Sequence, residues 1–136
     1  MSQFQLEIMT PDGVAFSGLC ESLLVRTDRG DVEIMRGHAD YFAAVDTGRI
    51  RLTVDGRQRF AAASGGFLSV SGGTVRLALI TFEYAEDIDA VRASIAKQKA
   101  EAAIAAAKDV AELKIAKAKL SRALSRISVS AMNAMR

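Results

Sequence analysis

Two arginines near the end of the chain have the residue type and spacing that an anion site needs. Arg122 and Arg126 are four residues apart, so on a helix they share one face about one turn apart. Guanidinium groups bind phosphate oxygens through paired hydrogen bonds. This pattern alone leaves two interpretations open, a polyphosphate site and a solvated basic face, and the second is the commoner.

A third arginine lies in the charged segment AEDIDAVRA, residues 85–93. Asp89 and Arg92 are three residues apart, a spacing that also suits a local ion pair worth about 0.2–0.5 kcal/mol. In an antiparallel helix pair, the start of the first helix lies beside the end of the second, so Arg92 would meet Arg122 and Arg126. Three arginines repel one another unless an anion lies among them, and this convergence is the physical argument for a phosphate ligand.

Other candidate sites lack residues that their chemistry requires. The segment SGGFLSVSGG, residues 64–73, lacks the spacing of a phosphate-binding loop, and it is predicted to form two turns flanking a strand. His38 is the only histidine, and no second His or Cys lies at metal-ligand spacing. Because no nucleophile and base form a recognisable set, we expect a non-catalytic chain that needs no cofactor and binds no metal.

The bulk composition excludes several classes of protein. The net charge of +2 is too small to indicate nucleic acid as a partner, and no aromatic residue follows Tyr84. No apolar stretch reaches the roughly 18 residues of a membrane span, and the first residues, MSQFQLEIMT, do not have the pattern of a signal peptide. The single cysteine, Cys20, fits a reducing compartment. We therefore expect a soluble cytoplasmic protein.

The composition changes abruptly near residue 84. All ten glycines lie between Gly13 and Gly73, and every lysine lies at or after Lys97. Residues 1–84 hold 8 Arg and 10 Asp or Glu, a charge of −2, whereas residues 85–136 hold 10 Lys or Arg and 6 Asp or Glu, a charge of +4. This change predicts two units, 1–84 and 85–136.

The first unit has the alternating pattern of β-strands. Three sets of apolar residues alternate with polar ones, which places each set on one face of a sheet: Phe4, Leu6 and Ile8; Ile50, Leu52 and Val54; Val75, Leu77 and Leu79. Turn signals separate the runs: Asp12-Gly13, Arg29-Gly30, Asp55-Gly56, Gly65-Gly66 and Gly72-Gly73. Short strands at this spacing predict an antiparallel β-sandwich or barrel.

The second unit has the composition of helices. From Ile88 onward alanine and lysine dominate, and neither Gly nor Pro occurs. Asp87 is predicted to cap the first helix, and a break near residues 107–109, with Asp109 as a second cap, gives an antiparallel hairpin. The predicted apolar seam of the hairpin comprises Ile88, Val91, Ile95, Leu113, Leu120, Leu124 and Ile127. The predicted fold class is α+β, an N-terminal antiparallel β-sandwich followed by a C-terminal antiparallel two-helix hairpin.

Four local segments, in this architecture, identify a family. TPDGVAFSG (residues 10–18), GHA (37–39), SGGFLSV (64–70) and AEDIDAVRA (85–93) stand in one order along the chain. In that order and architecture the whole chain resembles the epsilon subunit of F-type ATP synthase, bacterial type. Arg36 and Asp40 depart from this resemblance, because the family usually has proline at both positions.

The resemblance implies a non-catalytic subunit of the central stalk. Its sandwich would dock on the gamma subunit and the c-ring, with His38 at that rotor interface. Its hairpin would permit ATP hydrolysis when folded on the sandwich, and would block rotation when extended toward the beta (and alpha) subunits. The chain would then be peripheral to the membrane, at the cytoplasmic face of the bacterial plasma membrane.

The resemblance also implies ATP as a regulatory ligand, with the part of magnesium left open. The motif I/L-D-x-x-R-A of ATP-binding members matches residues 88–93, and a second basic motif matches residues 122–126. The implied contacts are Glu83, Ile88, Asp89, Arg92, Ala93, Lys99, Arg122 and Arg126, with the arginines on the phosphates and Glu83, Ile88 and Asp89 near base and ribose. The alternative is the same rotor subunit without a physiological ATP site, its hairpin being a nucleotide-independent inhibitor or packing element.

Overall fold

The computed structural model describes residues 2–134, with side chains to residue 132. Within this range seven strands precede a 3₁₀ turn and two α-helices. The strands are β1 (Phe4–Thr10), β2 (Gly13–Cys20), β3 (Ser22–Thr27), β4 (Gly30–Ile34), β5 (Tyr41–Val54), β6 (Arg57–Ser71) and β7 (Thr74–Tyr84). The 3₁₀ turn is Ala85–Asp87, and the helices are α1 (Ala90–Ala106) and α2 (Val110–Ala134).

The strands form one sheet that folds over itself. Its order is β2-β1-β7-β6-β5-β3-β4. Leu6 of β1 and Leu23 of β3 are fully buried in the same core, although their strands are not neighbours in the sheet. Two layers therefore enclose one core, as predicted for a β-sandwich. All strand pairs are antiparallel except β1 and β7, which run parallel.

The alternating apolar sets form the core of the sandwich, as predicted. Leu6, Ile8, Leu52 and Leu77 are at most 1% exposed. The turn at Asp55-Gly56 is also confirmed, because φ is 51° at Asp55 and 75° at Gly56, the paired positive values of a tight hairpin turn.

The predicted turn at Gly65-Gly66 is wrong, because both glycines lie inside β6. Before them the buried core positions of the strand include Ala61 and Ala63, and after them Leu68 and Val70. The inward face thus changes from odd to even positions across the glycines. A local distortion of this kind lets one long strand serve both layers of the sandwich.

Gly66 has a specific steric reason to be glycine. It pairs with Leu79 of β7, its φ is +156°, and a Cβ there would lie 1.9 Å from the carbonyl oxygen of Ala78. At Gly65 the nearest atom to an added Cβ is the Ile80 Cδ1, at 3.6 Å, which is an ordinary contact. Only the second glycine is therefore required by the backbone.

The helical hairpin begins later than predicted and turns where predicted. Asp87 does not cap α1; Asp89 does, because its carboxylate accepts a hydrogen bond from the Arg92 backbone N–H at 3.0 Å. The buried Ile88 keeps an extended backbone, so the helix cannot begin before Asp89. Asp109 is confirmed as the cap of α2, since its carboxylate accepts from the Glu112 N–H at 2.8 Å.

The predicted seam between the helices is wrong at several positions. Val91 is 72% exposed, Ile95 48% and Leu124 45%. The buried positions are instead alanines at intervals of seven residues, Ala93 and Ala100 on α1 and Ala116 and Ala123 on α2. Small side chains let the two helices approach closely, but each buries little apolar area.

The hairpin is folded against the sandwich. Val129 of α2 is fully buried beside Ala62 of β6, Ala85 and Ile88. The end of α2 therefore lies on the outer face of the sheet, next to the connection between the two units. No helix within residues 2–134 has the length and apolar character to cross a membrane.

Replacing Gly66 with alanine is expected to lower the free energy of unfolding by at least about 2 kcal/mol, because the added methyl group meets the Ala78 carbonyl. Gly65→Ala is the matched control and should change it by about 1 kcal/mol or less. Urea unfolding followed by circular dichroism measures both. Equal midpoints for the two variants would contradict this account of the strand.

Candidate functional site

A cavity of about 630 Å³ lies between the hairpin and the sheet, within the usual size range of small-molecule sites. Its walls come from both units of the chain. The sheet side contributes the polar residues Thr10, Asp12, Ser64, Thr81 and Glu83, and the helices contribute Lys99, Lys119, Arg122, Ser125 and Arg126. The space therefore exists only while the hairpin lies on the sandwich.

Four of the residues predicted from the sequence line this cavity. They are Glu83, Lys99, Arg122 and Arg126. Glu83 is the second-to-last residue of strand β7, whereas the three cations come from two antiparallel helices. Folding thus brings together residues that are far apart along the chain.

The other four predicted residues lie outside the cavity lining. Ile88 and Ala93 are buried in packing contacts, and Asp89 caps α1. Arg92 is exposed and is not among the residues that line the cavity, and its convergence with Arg122 and Arg126 stays a prediction. Arg92 does share a helix face with Lys99, because seven residues separate them, and it therefore extends the cationic row toward the connection.

Positive charge exceeds negative charge around the cavity. Four cations line it against the carboxylates of Asp12 and Glu83. Arg126 is paired, since its Nε donates to Glu83 Oε1 at 2.9 Å and its Nη2 to Oε2 at 3.4 Å. Within the described residues Lys99, Lys119 and Arg122 have no ion pair. Unpaired cations converging on one cleft favour a polyanion.

Hydroxyl groups provide further hydrogen-bonding capacity. Ser64 Oγ and Thr81 Oγ1 lie 2.5 Å apart on the sheet side. On the helix side, Ser125 Oγ is enclosed and has no hydrogen-bond partner in the described part of the chain. Buried polar atoms are normally paired, so a ligand that offers a donor or acceptor here would satisfy Ser125.

The connection between the units is held from the sandwich side by Arg59. Its guanidinium lies 3.6 Å from the centre of the Tyr84 ring and pairs with the Glu86 carboxylate. Burial raises the pKa of the Tyr84 hydroxyl, and the charge of Arg59 partly offsets this. Arg59 therefore orders the segment that any hairpin movement must bend.

His38 lies away from the cavity, between β4 and β5. Its ring packs edge-on against Tyr41 with centroids 5.8 Å apart, and its Nδ1 is 2.7 Å from the Ala39 carbonyl oxygen. No group of His, Cys, Asp or Glu within residues 2–134 has the arrangement of a metal site.

An exposed aromatic surface lies on the outer face of the sheet. Phe42 and Phe67 stack with centroids 5.5 Å apart and are 67% and 54% exposed. Phe67 also borders a groove of about 620 Å³ with Met9, Ala78 and Ile80. We call these five residues the aromatic face. Contiguous exposed apolar surface of this kind indicates contact with another protein.

Sequence reasoning missed Asp12, Lys119 and Ser125 in the cavity, and Arg59 beside it. Lys119 could have been found, because it precedes Arg122 by three residues and so shares its helix face. Asp12 could not, because nothing local places the β1–β2 turn opposite α2.

Two sequence profiles match the chain. The ATP synthase, Delta/Epsilon chain, beta-sandwich domain matches residues 3–85, and the ATP synthase, Delta/Epsilon chain, long alpha-helix domain matches residues 86–131. The ATP synthase epsilon chain of Ruminococcus albus is 35% identical over 131 residues, covering 96% of this chain and 98% of its own. That of Bacillus velezensis is 36% identical over 130 residues, with the same coverage.

A solved structure shares the fold. A chain of the Euglena gracilis mitochondrial ATP synthase, in its OSCP/F1/c-ring assembly, superposes with a TM-score of 0.81 at 20% identity, over 98% of this chain and 82% of that one. The order of strands, helices and cavity residues, the two profile matches and the near full-length relatives lead to one assignment. The chain belongs to the delta/epsilon chain family of ATP synthases and is similar to its epsilon chains along almost its whole length.

Proposed function

We propose that this chain is a non-catalytic subunit of the central stalk of a rotary ATP synthase, and that its hairpin regulates ATP hydrolysis. In the folded state the hairpin binds ATP and permits hydrolysis; in an extended state it inhibits. The observation that carries the regulatory part is the cationic cavity, whose walls come from both units.

A ligand in this cavity stabilises the folded hairpin. Moving α2 away would separate Arg122 and Arg126 from Glu83 and Ser64, and so divide the site. ATP therefore binds one of the two states, and at one hundred times its dissociation constant it stabilises that state by about 2.7 kcal/mol. A hairpin held by alanine contacts is weak enough for a change of this size to alter its population.

The chemistry of the walls suits a nucleotide triphosphate. Arg122 and Arg126 bind phosphate oxygens, with Lys99 as a further cation on α1. Glu83 lines the connection end of the cavity and would face the nucleoside there, whereas Ile88 and Asp89 flank this end outside the lining. We assign no residue to magnesium, which would enter with the phosphates.

The folded hairpin exposes side chains that suit a second binding partner. Val91, Ile95 and Leu124 are apolar and exposed, and exposed lysines follow the same helices. When extended, this amphipathic basic surface would contact the catalytic beta (and alpha) subunits. The hairpin would thus bind the ligand through its cavity-lining face when folded, and the catalytic subunits through its exposed face when extended.

The aromatic face is the proposed contact with the gamma subunit. It includes no residue of α1 or α2, and all of its residues except Ile80 lie outside the cavity, so most of it stays available in both hairpin states. The loop with His38 would meet the c-ring, which is also present in the Euglena gracilis assembly. The subunit would then be peripheral to the membrane, on the cytoplasmic face in bacteria.

A second candidate is the same subunit without a physiological ATP site. The Glu83–Arg126 pair favours it, because this ion pair closes one end of the cavity without a ligand. The hairpin would then inhibit, or only pack, regardless of nucleotide. ATP titration separates the two candidates.

The isolated chain is expected to bind ATP, and Arg122→Gln with Arg126→Gln should weaken binding by about tenfold or more through loss of charge-assisted contacts. Isothermal titration calorimetry gives the affinity. Lys114→Gln, an exposed lysine of α2 outside the cavity, is the control and should leave it unchanged. Absence of heat at millimolar ATP would favour the second candidate.

Ending the chain at Asp87 should raise ATP hydrolysis by the assembled complex by about twofold or more, because the inhibitory state is lost. The comparison is with the complex that carries the full chain. Hydrolysis rates are measured after confirming that the shortened chain remains in the complex. An unchanged rate would show that the hairpin does not inhibit.

Phe67→Glu should weaken binding of this chain to the gamma subunit by about tenfold or more, because it places a charge at the centre of an apolar contact. Val14→Glu is the matched control, since Val14 is 68% exposed on β2 and outside the aromatic face. Co-purification with gamma and surface plasmon resonance report the interaction. Equal loss in both variants would place the contact elsewhere.

A further inference from the structure

The cations of α2 form one stripe along the cavity. Lys119, Arg122 and Arg126 stand at positions i, i+3 and i+7 of the helix, and all three line the cavity. Lys114 and Lys117 belong to the same helix but do not line it. The stripe covers about 10 Å along the helix axis, which is longer than a single phosphate group requires.

The two ends of the stripe differ in their partners. At the connection end Arg126 is held by Glu83. Toward the turn between the helices, Lys119 has no ion pair within the described residues, and neither does Lys99 of α1. The antiparallel helices place these two lysines at similar distances from the turn at residues 107–109. Their positive charges therefore lie at the same end of the cavity, and no ion pair neutralises either of them within the described residues.

We propose that Lys119 is a specificity residue that binds the terminal phosphate and makes the site prefer a nucleoside triphosphate to a diphosphate. This rests on the proposed ATP site, with the nucleoside at the Glu83 end. The phosphates then run from Arg126 past Arg122, and the third phosphate lies between Lys119 and Lys99. A diphosphate ends before it reaches Lys119 and leaves the two lysines facing each other.

The net positive charge of the hairpin would not by itself give a strong preference for ATP over ADP. Each added phosphate brings negative charge that every cation of the hairpin attracts, including Lys117. A cation in contact with the third phosphate changes the ratio of ATP affinity to ADP affinity far more than an exposed cation at a distance, whose attraction is screened by solvent and salt. Both lysines are exposed, but Lys119 lines the cavity and so can contact the third phosphate, whereas Lys117 does not line it.

The test is calorimetric titration of the full chain with ATP and with ADP, for the original protein, Lys119→Gln and Lys117→Gln. We expect Lys119→Gln to weaken ATP binding by about tenfold, the loss of one charge-assisted contact, and ADP binding by less than about twofold. Lys117→Gln should change the ratio of the two affinities little. Lys119→Arg should retain the preference for ATP.

The outcomes separate this inference from the function on which it rests. If the original protein binds no ATP while circular dichroism shows it folded, the ATP site itself is wrong. A second outcome is that the original protein binds ATP while Lys119→Gln weakens ATP binding and ADP binding equally, or has the same effect as Lys117→Gln. Either result would show that Lys119 does not contact the third phosphate. The same conclusion follows if Lys119→Arg loses the preference.

Discussion

The contact between the end of α2 and the sheet determines whether the cavity exists. Val129 is fully buried against Ala62 and Ile88, and burial of such a side chain contributes about 1.5–3 kcal/mol. The Glu83–Arg126 pair is only partly buried, so it adds about 1 kcal/mol or less. These two contacts together contribute a few kcal/mol, the range in which ligand binding can change a two-state population.

The alanines of the hairpin account for both its weak packing and its binding space. Ala93 and Ala123 let the helices approach closely, while Ala96 and Ala103 of α1 line the cavity. Larger side chains at the lining positions would bury more area and strengthen the contact with the sandwich. They would also fill the cavity itself. A loosely held hairpin and an open cavity follow from the same choice of residue.

Local signals in the sequence predicted the core, the break between the helices and the two cavity arginines, Arg122 and Arg126, whereas Glu83 and Lys99 followed from the family resemblance. The alternation of Leu6 and Ile8 and the cap at Asp109 depend on neighbours in the chain, and pattern reasoning finds these. The same reasoning wrongly predicted a turn at Gly65-Gly66, since the need for glycine at residue 66 arises from Ala78 on another strand. The seam was misjudged at Val91 and Leu124 for a similar reason, because hydrophobic periodicity does not say that alanines will form the close contact. Contacts between residues far apart in the sequence determine both the glycine at residue 66 and the contact between the helices.

Under the proposed function Arg126 has two partners, Glu83 and a phosphate, and its exchange between them would link the ligand to the connection. Glu83 neutralises Arg126, so a phosphate that binds Arg126 would have to share it with Glu83 or displace Glu83. Glu83 immediately precedes Tyr84, whose ring lies under Arg59, and Arg59 also pairs with Glu86. A movement of Glu83 is therefore transmitted to the backbone beside Tyr84, the residue that Arg59 holds in place. The position of Glu83 gives the cavity a short physical route to the segment at which the hairpin would open.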